Sequence, residues 1–304
     1  MGVNVTSRLP VPQRRTVERW AWASLVANTV IILTGGLVRL TGSGLGCPTW
    51  PRCTDESFVP HRELGLHGAI EFGNRLLTYV LIAVAIGTLL AVWRWTSDRS
   101  LRTLVVVLAA GIPFQGVIGG ITVLTDLNPW IVSLHLMLSL GLVAGSTLLV
   151  VRVRGGLTPV GPPLARRLVL VVYAVLWVAV YLGTVVTGSG PHAGDADSPR
   201  NGLDPATWSH VHAWSVYLLV ALTVLVLVLA RGTDLARPAS WLLAGELAQG
   251  TIGLVQYYTD LPIALVAAHL VGAAALVALG TRLLLATVGA AAPARPEAVE
   301  TVSR

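Results

Sequence analysis

The chain has 304 residues, 54% of them hydrophobic and only 12% charged, about half the charged share of a soluble chain. All 21 basic residues are arginine against 15 acids, a net charge of +6, yet the arginines sit in short clusters between long apolar runs. That pattern offers no basic face for nucleic acid and excludes a water-soluble globule, leaving a multi-span membrane protein.

Windows of about 20 apolar residues, enough to cross the hydrocarbon core as helix, recur at 20–40, 67–93, 102–124, 130–151, 166–187, 208–230, 239–258 and 262–286. Connections are short except around 41–66 and 188–207. No segment alternates with a period of two, which argues against a β-barrel. The first span follows Arg8, Arg14, Arg15 and Arg19. It is too long, and lacks the small-residue cleavage site, to be a removable signal peptide. Alternating crossings put sixteen of the 21 arginines on one side. The other side holds Arg39, Arg52, Arg62, Arg75 and Arg200, mixed with acids such as Asp55, Glu63, Asp126 and Asp260. The arginine excess predicts a multi-pass protein of the cell membrane with both termini cytoplasmic and the two long loops outside.

The chain carries its own second copy. Residues 115–136 (QGVIGGITVLTDLNPWIVSLHL) and 249–270 (QGTIGLVQYYTDLPIALVAAHL) are identical at ten of 22 positions at an offset of 134. Shared hydrophobic bias explains Leu, Ile and Val matches, but not Gln115/Gln249, Thr125/Thr259, Asp126/Asp260 and His135/His269. The first and fifth spans also end alike, in Thr-Gly-Ser-Gly at 41–44 and 187–190. Four crossings return the chain to its starting side, so the repeats are parallel. The predicted fold is all-α and integral to the membrane: eight transmembrane helices as two parallel, pseudo-two-fold related four-helix bundles. The expected organisation is a cytoplasmic tail over 1–19, a first unit over 20–152, a cytoplasmic linker over 153–165, a second unit over 166–286 and a disordered cytoplasmic tail over 287–304.

Ionisable groups inside spans are costly and mark functional sites. His67 and His212 each follow a proline by seven residues, as does His269, and His135 follows Pro129 by six. A rise of 1.5 Å per residue puts all four about 10 Å into the even-numbered helices from the outer side. Each unit then offers two histidines at matching depth, the arrangement a bis-imidazole haem in a four-helix bundle requires. A lone membrane histidine is as readily a hydrogen-bonded packing residue, and zinc lacks third and fourth ligands here. His61 and His192 fall in loops and are expected to be solvated. His210 points about 200° away from His212 around its helix.

His67, Glu71 and Asn74 share one stripe of the second helix, with Arg75 one turn beyond Glu71. A carboxylate beside a cofactor can act as acid or base; a structural Glu71–Arg75 ion pair is the alternative. The second unit has no acid at this place, which predicts reaction in the first unit. Glu246 in the seventh span is unexplained unless it pairs with Gln249. The two cysteines fall in the first outer loop, as Cys47-Pro-Thr-Trp-Pro-Arg-Cys53. On the oxidising side a disulfide is expected, with free thiols or a poorly furnished metal site as alternatives.

TGGLVRLTGSGLGCPTWPRC (34–53), EFGNR (71–75), the two QGxIG-to-His repeats and the eight-span duplication together resemble the haem A synthase (CtaA) family over roughly 20–285. The resemblance implies an enzyme that oxidises the C8 methyl of haem O to the formyl group of haem A by successive hydroxylations, for cytochrome c oxidase assembly. It implies haem O as substrate in the N-terminal unit, haem b as cofactor in the C-terminal unit, a catalytic Glu71 and a Cys47–Cys53 disulfide. Haem O synthase and oxidase assembly factors are then the expected partners beside membrane lipid, with a homo-oligomer left open. The family motif Glu-x-x-His-Arg reads here Glu71-Phe-Gly-Asn74-Arg75, so the ligand position holds Asn74, a poor iron ligand. The family's Gly-His-Arg element is absent from the sixth helix. His67 and His212 are therefore the expected iron ligands beside His135 and His269. The cysteine pair that some members carry in the other long loop is missing from 188–202. A non-catalytic dihaem cytochrome oxidising a quinol would use the same histidines without needing Glu71, and a transporter would need no haem.

Overall fold

A computed structural model of the chain describes residues 11–293. Within them run eight long helices: α1 Arg14–Leu40, α2 Gly65–Trp95, α3 Arg99–Leu124, α4 Pro129–Val153, α5 Pro163–Ser189, α6 Pro205–Leu229, α7 Ala236–Tyr258 and α8 Ile263–Val288. Local chemistry sets several of their starts. The side chains of Asp98, Asn128 and Asp204 accept from Leu101 N, Trp130 N and Thr207 N, capping α3, α4 and α6. Proline stands in the first turn of α4, α5 and α6, where its missing N–H costs no helical bond.

Seven of these helices are long and apolar enough to cross a membrane; α7, which carries Arg237, Glu246, Gln249 and Gln256, falls short on composition yet packs beside α6 and α8 as a full member of the bundle. The chain is a multi-pass, all-α membrane protein.

Helices α1 to α4 close into one ring of neighbours and α5 to α8 into another. The two rings meet where α4 and α1 lie against α8 and α4 lies against α5. Each ring has its own apolar core, built around Leu101, Val105 and Leu149 in the first and Leu176, Leu242 and Leu283 in the second. A third cluster, Ile32, Leu140, Val143, Ala274 and Val277, joins them. Between the rings Ser133 and Thr184 share a buried hydroxyl–hydroxyl bond. The long connections 41–61 and 190–204 share one end of the bundle (the loop end) and touch there, Gly44 N donating to Gly194 O at 2.8 Å.

The repeat extends to the backbone. The turns after α3 and α7 both hold two non-glycine residues in the left-handed region, Asp126 and Leu127 (φ 52° and 61°) and Asp260 and Leu261 (φ 56° and 57°). A leucine there costs roughly 1–2 kcal/mol. In both copies the leucine N–H closes the turn on a carbonyl five residues back, Thr122 or Gln256. Chance hydrophobic similarity would not reproduce that conformation.

Three expectations need correction. Arg14–Arg19 belong to α1 rather than to a tail; residues 1–10 lie outside the described residues. The stretch 287–293 is not a free tail. Helix α8 runs to Val288, and Ala290 bridges antiparallel to Leu157 through bonds of 2.7 and 2.9 Å. The disordered tail expected for 294–304 also falls outside the described residues. Finally, α2 does not start at Pro60. A short 3-10 turn, Arg62–Leu64, and Gly65 at φ 54° intervene.

Candidate functional site

His135 and His269 occupy equivalent stations. Each lies six residues into its helix, about 9 Å from the loop end. Each backbone carbonyl accepts from the glutamine of the facing helix, Gln115 Nε2 at 3.1 Å and Gln249 Nε2 at 2.6 Å. Each ring lies against a glycine of that helix. A Cβ at Gly119 would come 3.4 Å from His135 Cε1, and one at Gly253 would come 3.2 Å from His269 Cε1. At Gly253 the approach is tighter than ordinary side-chain contact, so the absence of a side chain there lets the ring come this close. Both rings bury Nδ1 with no partner.

His212 lies seven residues into α6, about 10 Å deep. Its Nδ1 is bonded to Ala179 O at 2.9 Å, and Gly183 clears its ring. Its helix lies against α7, which in turn packs on α8 with His269, so both histidines belong to the second ring at similar depth.

His67 breaks the expected level. With α2 starting at Gly65, it stands two residues in, about 3 Å rather than 10 Å. It is exposed, its Nδ1 bonded to Ser43 Oγ at 2.9 Å. Asn74 is half-buried and accepts from Thr34 Oγ1 at 2.8 Å, which commits its carbonyl to α1.

Glu71 is buried, 5% exposed, and both its oxygens are engaged. Oε1 takes Arg75 Nη2 at 2.6 Å and Nε at 3.1 Å; Oε2 accepts from Cys47 N at 2.6 Å. Arg75 reaches on to the carbonyls of Cys47, Thr49 and Arg52. The pair therefore clamps a loop that Cys47 and Cys53 close as a disulfide. The ion-pair alternative for Glu71 is what the structure shows, in a form that also holds the loop. At the matching places on α6, four and eight residues after His212, stand Val216 and Val220.

Glu246, 2% exposed, accepts from Thr223 Oγ1 at 2.9 Å, while Gln249 turns its amide to His269 instead. His192 is not simply solvated: it is half-buried, with Nε2 bonded to Leu261 O at 3.0 Å. His61 is exposed, as is His210, which bonds Ala206 O. Sequence reasoning missed Ser43 and Ala179 O as partners of His67 and His212. It recorded Gln115 and Gln249 only as repeat identities, although two identical amides inside spans are themselves a signal of a polar task.

Whether these residues suit a bis-imidazole haem can be judged from the rings. Among the described residues the Nε2 atoms of His135, His212 and His269 make no hydrogen bond and are not sealed in, while each Nδ1 faces protein. An iron ligand needs that division: a free lone pair on one nitrogen and protein around the other. The donor set fits, more closely in the second ring than at exposed His67. No group of three or more His, Cys, Asp or Glu suited to a bare metal ion occurs among the described residues.

Comparison with known proteins identifies the family. The model of the family described as cytochrome oxidase assembly protein (COX15-CtaA) matches residues 18–67 and 64–281. A protein of Bradyrhizobium diazoefficiens named Heme A synthase is 24% identical over 87% of this chain and 89% of its own length. One of Geobacillus kaustophilus with the same name is 24% identical over 84% and 86%. A third, from Lysinibacillus sphaericus, reaches 35% identity over 41% of each chain.

Proposed function

Because the chain belongs to the COX15-CtaA family of cytochrome oxidase assembly proteins, we propose that it is a haem A synthase. This oxidoreductase converts the C8 methyl of haem O to the formyl group of haem A by successive hydroxylations. The observation that carries the reading is the repeated histidine station, with Nδ1 toward protein and Nε2 open on α4 and again on α8, inside a chain whose near full-length relatives are named Heme A synthase.

In this reading the second unit holds a resident haem b between His212 and His269. The first holds substrate haem O between His135 and α2, where His67 is the imidazole and Asn74 is occupied by Thr34. Haem iron supplies the one-electron redox chemistry. The protein supplies position: helices α1 and α2 fix one wall of the first unit and α3 and α4 the other, while Arg75 and Glu71 hold the disulfide loop at its mouth. Glu71 is the acid–base group of that unit, its Oε1 held by the Arg75 guanidinium and its Oε2 by the Cys47 N–H. In the same reading the arginine-rich end of the bundle faces the cytoplasm and the membrane is the cell membrane, which the charge bias between the two ends supports. Haem O synthase and oxidase assembly factors are the expected partners.

The test is expression with a haem O synthase in a host without haem A, followed by chromatography of extracted haems. Haem A is expected. Bound haem b with no oxidised product would sink the proposal.

A further inference from the structure

We propose that Gln115 and Gln249 are the second-layer acceptors of the axial imidazoles on α4 and α8, each taking the Nδ1 proton of the histidine whose backbone it already holds. The inference rests on the reading of His135 and His269 as iron ligands and names the positioning residues of that same site.

Seven buried side-chain nitrogen or oxygen atoms lack a hydrogen-bond partner among the described residues. Four of them are Gln115 Oε1, His135 Nδ1, Gln249 Oε1 and His269 Nδ1. Orphaned buried polar atoms are uncommon and call for an explanation. Here they occur as one acceptor and one ring nitrogen per repeat, on facing helices, and in each pair the glutamine side chain is already tethered to the backbone of the histidine. Gln115 Nε2 donates to His135 O and Gln249 Nε2 to His269 O. An imidazole that gives its Nε2 lone pair to a metal carries its proton on Nδ1 and must donate it. The terminal amide torsion of glutamine is broad, so a turn of the amide that exchanges the bond to the histidine carbonyl can offer Oε1 to that proton.

The other two histidines show the same need already met. Nδ1 of His212 is bonded to Ala179 O and Nδ1 of His67 to Ser43 Oγ. On α4 and α8 no such partner is formed among the described residues, and the glutamine of the facing helix brings an unused acceptor to the same histidine. A neutral amide serves better than a carboxylate, because it fixes the ring without drawing its proton away. The same residue stands in both copies although its neighbours Val117 and Thr251 differ. In the first unit the amide is further anchored by donation to Ser139 Oγ at 2.7 Å.

The experiment uses the full-length protein carrying haem b, read by redox titration and by low-spin ferric electron paramagnetic resonance. Donation from Nδ1 increases electron density on the ligand and favours ferric iron. Gln249→Leu should therefore retain haem, raise its reduction potential and change the g anisotropy. Gln249→Glu, of equal length and a stronger acceptor, should move both in the opposite sense, and it keeps the test readable where the leucine variant fails to hold haem. Haem bound with unchanged potential and g values in these variants would overturn the proposal. So would shifts of the same sign in both, which a mere helix tether would give. His269→Ala separates the two layers: full haem b retention there would refute the ligand assignment itself, whatever the glutamine variants show.

Discussion

The two rings differ far more on one side than on the other. Along α3–α4 and α7–α8 they match in detail, with the same left-handed turn, the same glutamine tether and the same glycine under the same histidine. Along α2 and α6 they part. Helix α6 carries His212 bonded to a backbone carbonyl and no acid, whereas α2 carries a buried ion pair reaching into a disulfide loop. A duplicated scaffold retains what both copies need and diverges where their tasks differ. In the proposed reading haem holding is common to the two rings, and the Glu71–Arg75–loop assembly, present in the first alone, is the feature that assigns the reaction to that unit.

The sharpest way to break that comparison is Glu71→Gln. The amide still accepts from Cys47 N but leaves Arg75 without its counter-charge. That costs about 1–3 kcal/mol for a pair that remains partly exposed. Extracted haems should then contain no haem A while the visible spectrum of the second-unit haem stays as in the parent; wild-type turnover would remove Glu71 from the reaction. Next in size is the loss of one imidazole. Partners behind a ligand already change metal affinity about 10–100-fold, so His269→Ala should cost at least about 100-fold in haem affinity. The loss should be confined to the second unit, as measured by haem-to-protein ratio. Equal depletion of both units would mean that the rings are not independent haem sites.

A milder effect is expected from Cys47→Ser with Cys53→Ser. Closing so short a loop contributes roughly 2 kcal/mol by chain entropy. The loop keeps its bonds to Arg75 through the Cys47, Thr49 and Arg52 carbonyls. Thermal unfolding in detergent should therefore drop by a few degrees while part of the turnover survives. Complete loss of product with an unchanged melting point would instead assign the sulfurs a chemical task.

Much of this was open to sequence reasoning because its signals are local. Span lengths and the prolines of α4 and α6 act locally, and the repeat showed itself in residues that hydrophobic bias does not favour. The level of His67 was misjudged for an equally physical reason. Pro129 and Pro205 sit at the first helical position, but Pro60 precedes a 3-10 turn and a left-handed Gly65, so counting from proline overstated its depth. The role of His192 and the acceptor at Ala179 depend on which loop or helix comes to lie alongside, and no local spacing encodes that. Glu71 was ambiguous between acid–base group and ion pair because both follow from one i, i+4 spacing. Its reach to Cys47 N needed the loop in place.

The finest comparison concerns the glycines beneath the two matched histidines. A methyl at Gly119 would meet the His135 ring at ordinary contact distance, 3.4 Å, whereas at Gly253 it would stand 3.2 Å from the His269 ring and force it to give by a few tenths of an ångström. Both helices are packed on the ring side, so that displacement is passed to Nε2 rather than relieved by the backbone. Gly253→Ala should accordingly weaken haem binding in the second unit several-fold, an energy of about 1 kcal/mol, while Gly119→Ala leaves the first unit nearly unchanged. The readout is haem content per unit after dilution in detergent. The reverse order of sensitivity would show that the first ring holds its imidazole more tightly than the second, and that the asymmetry between the units extends to the side where they look alike.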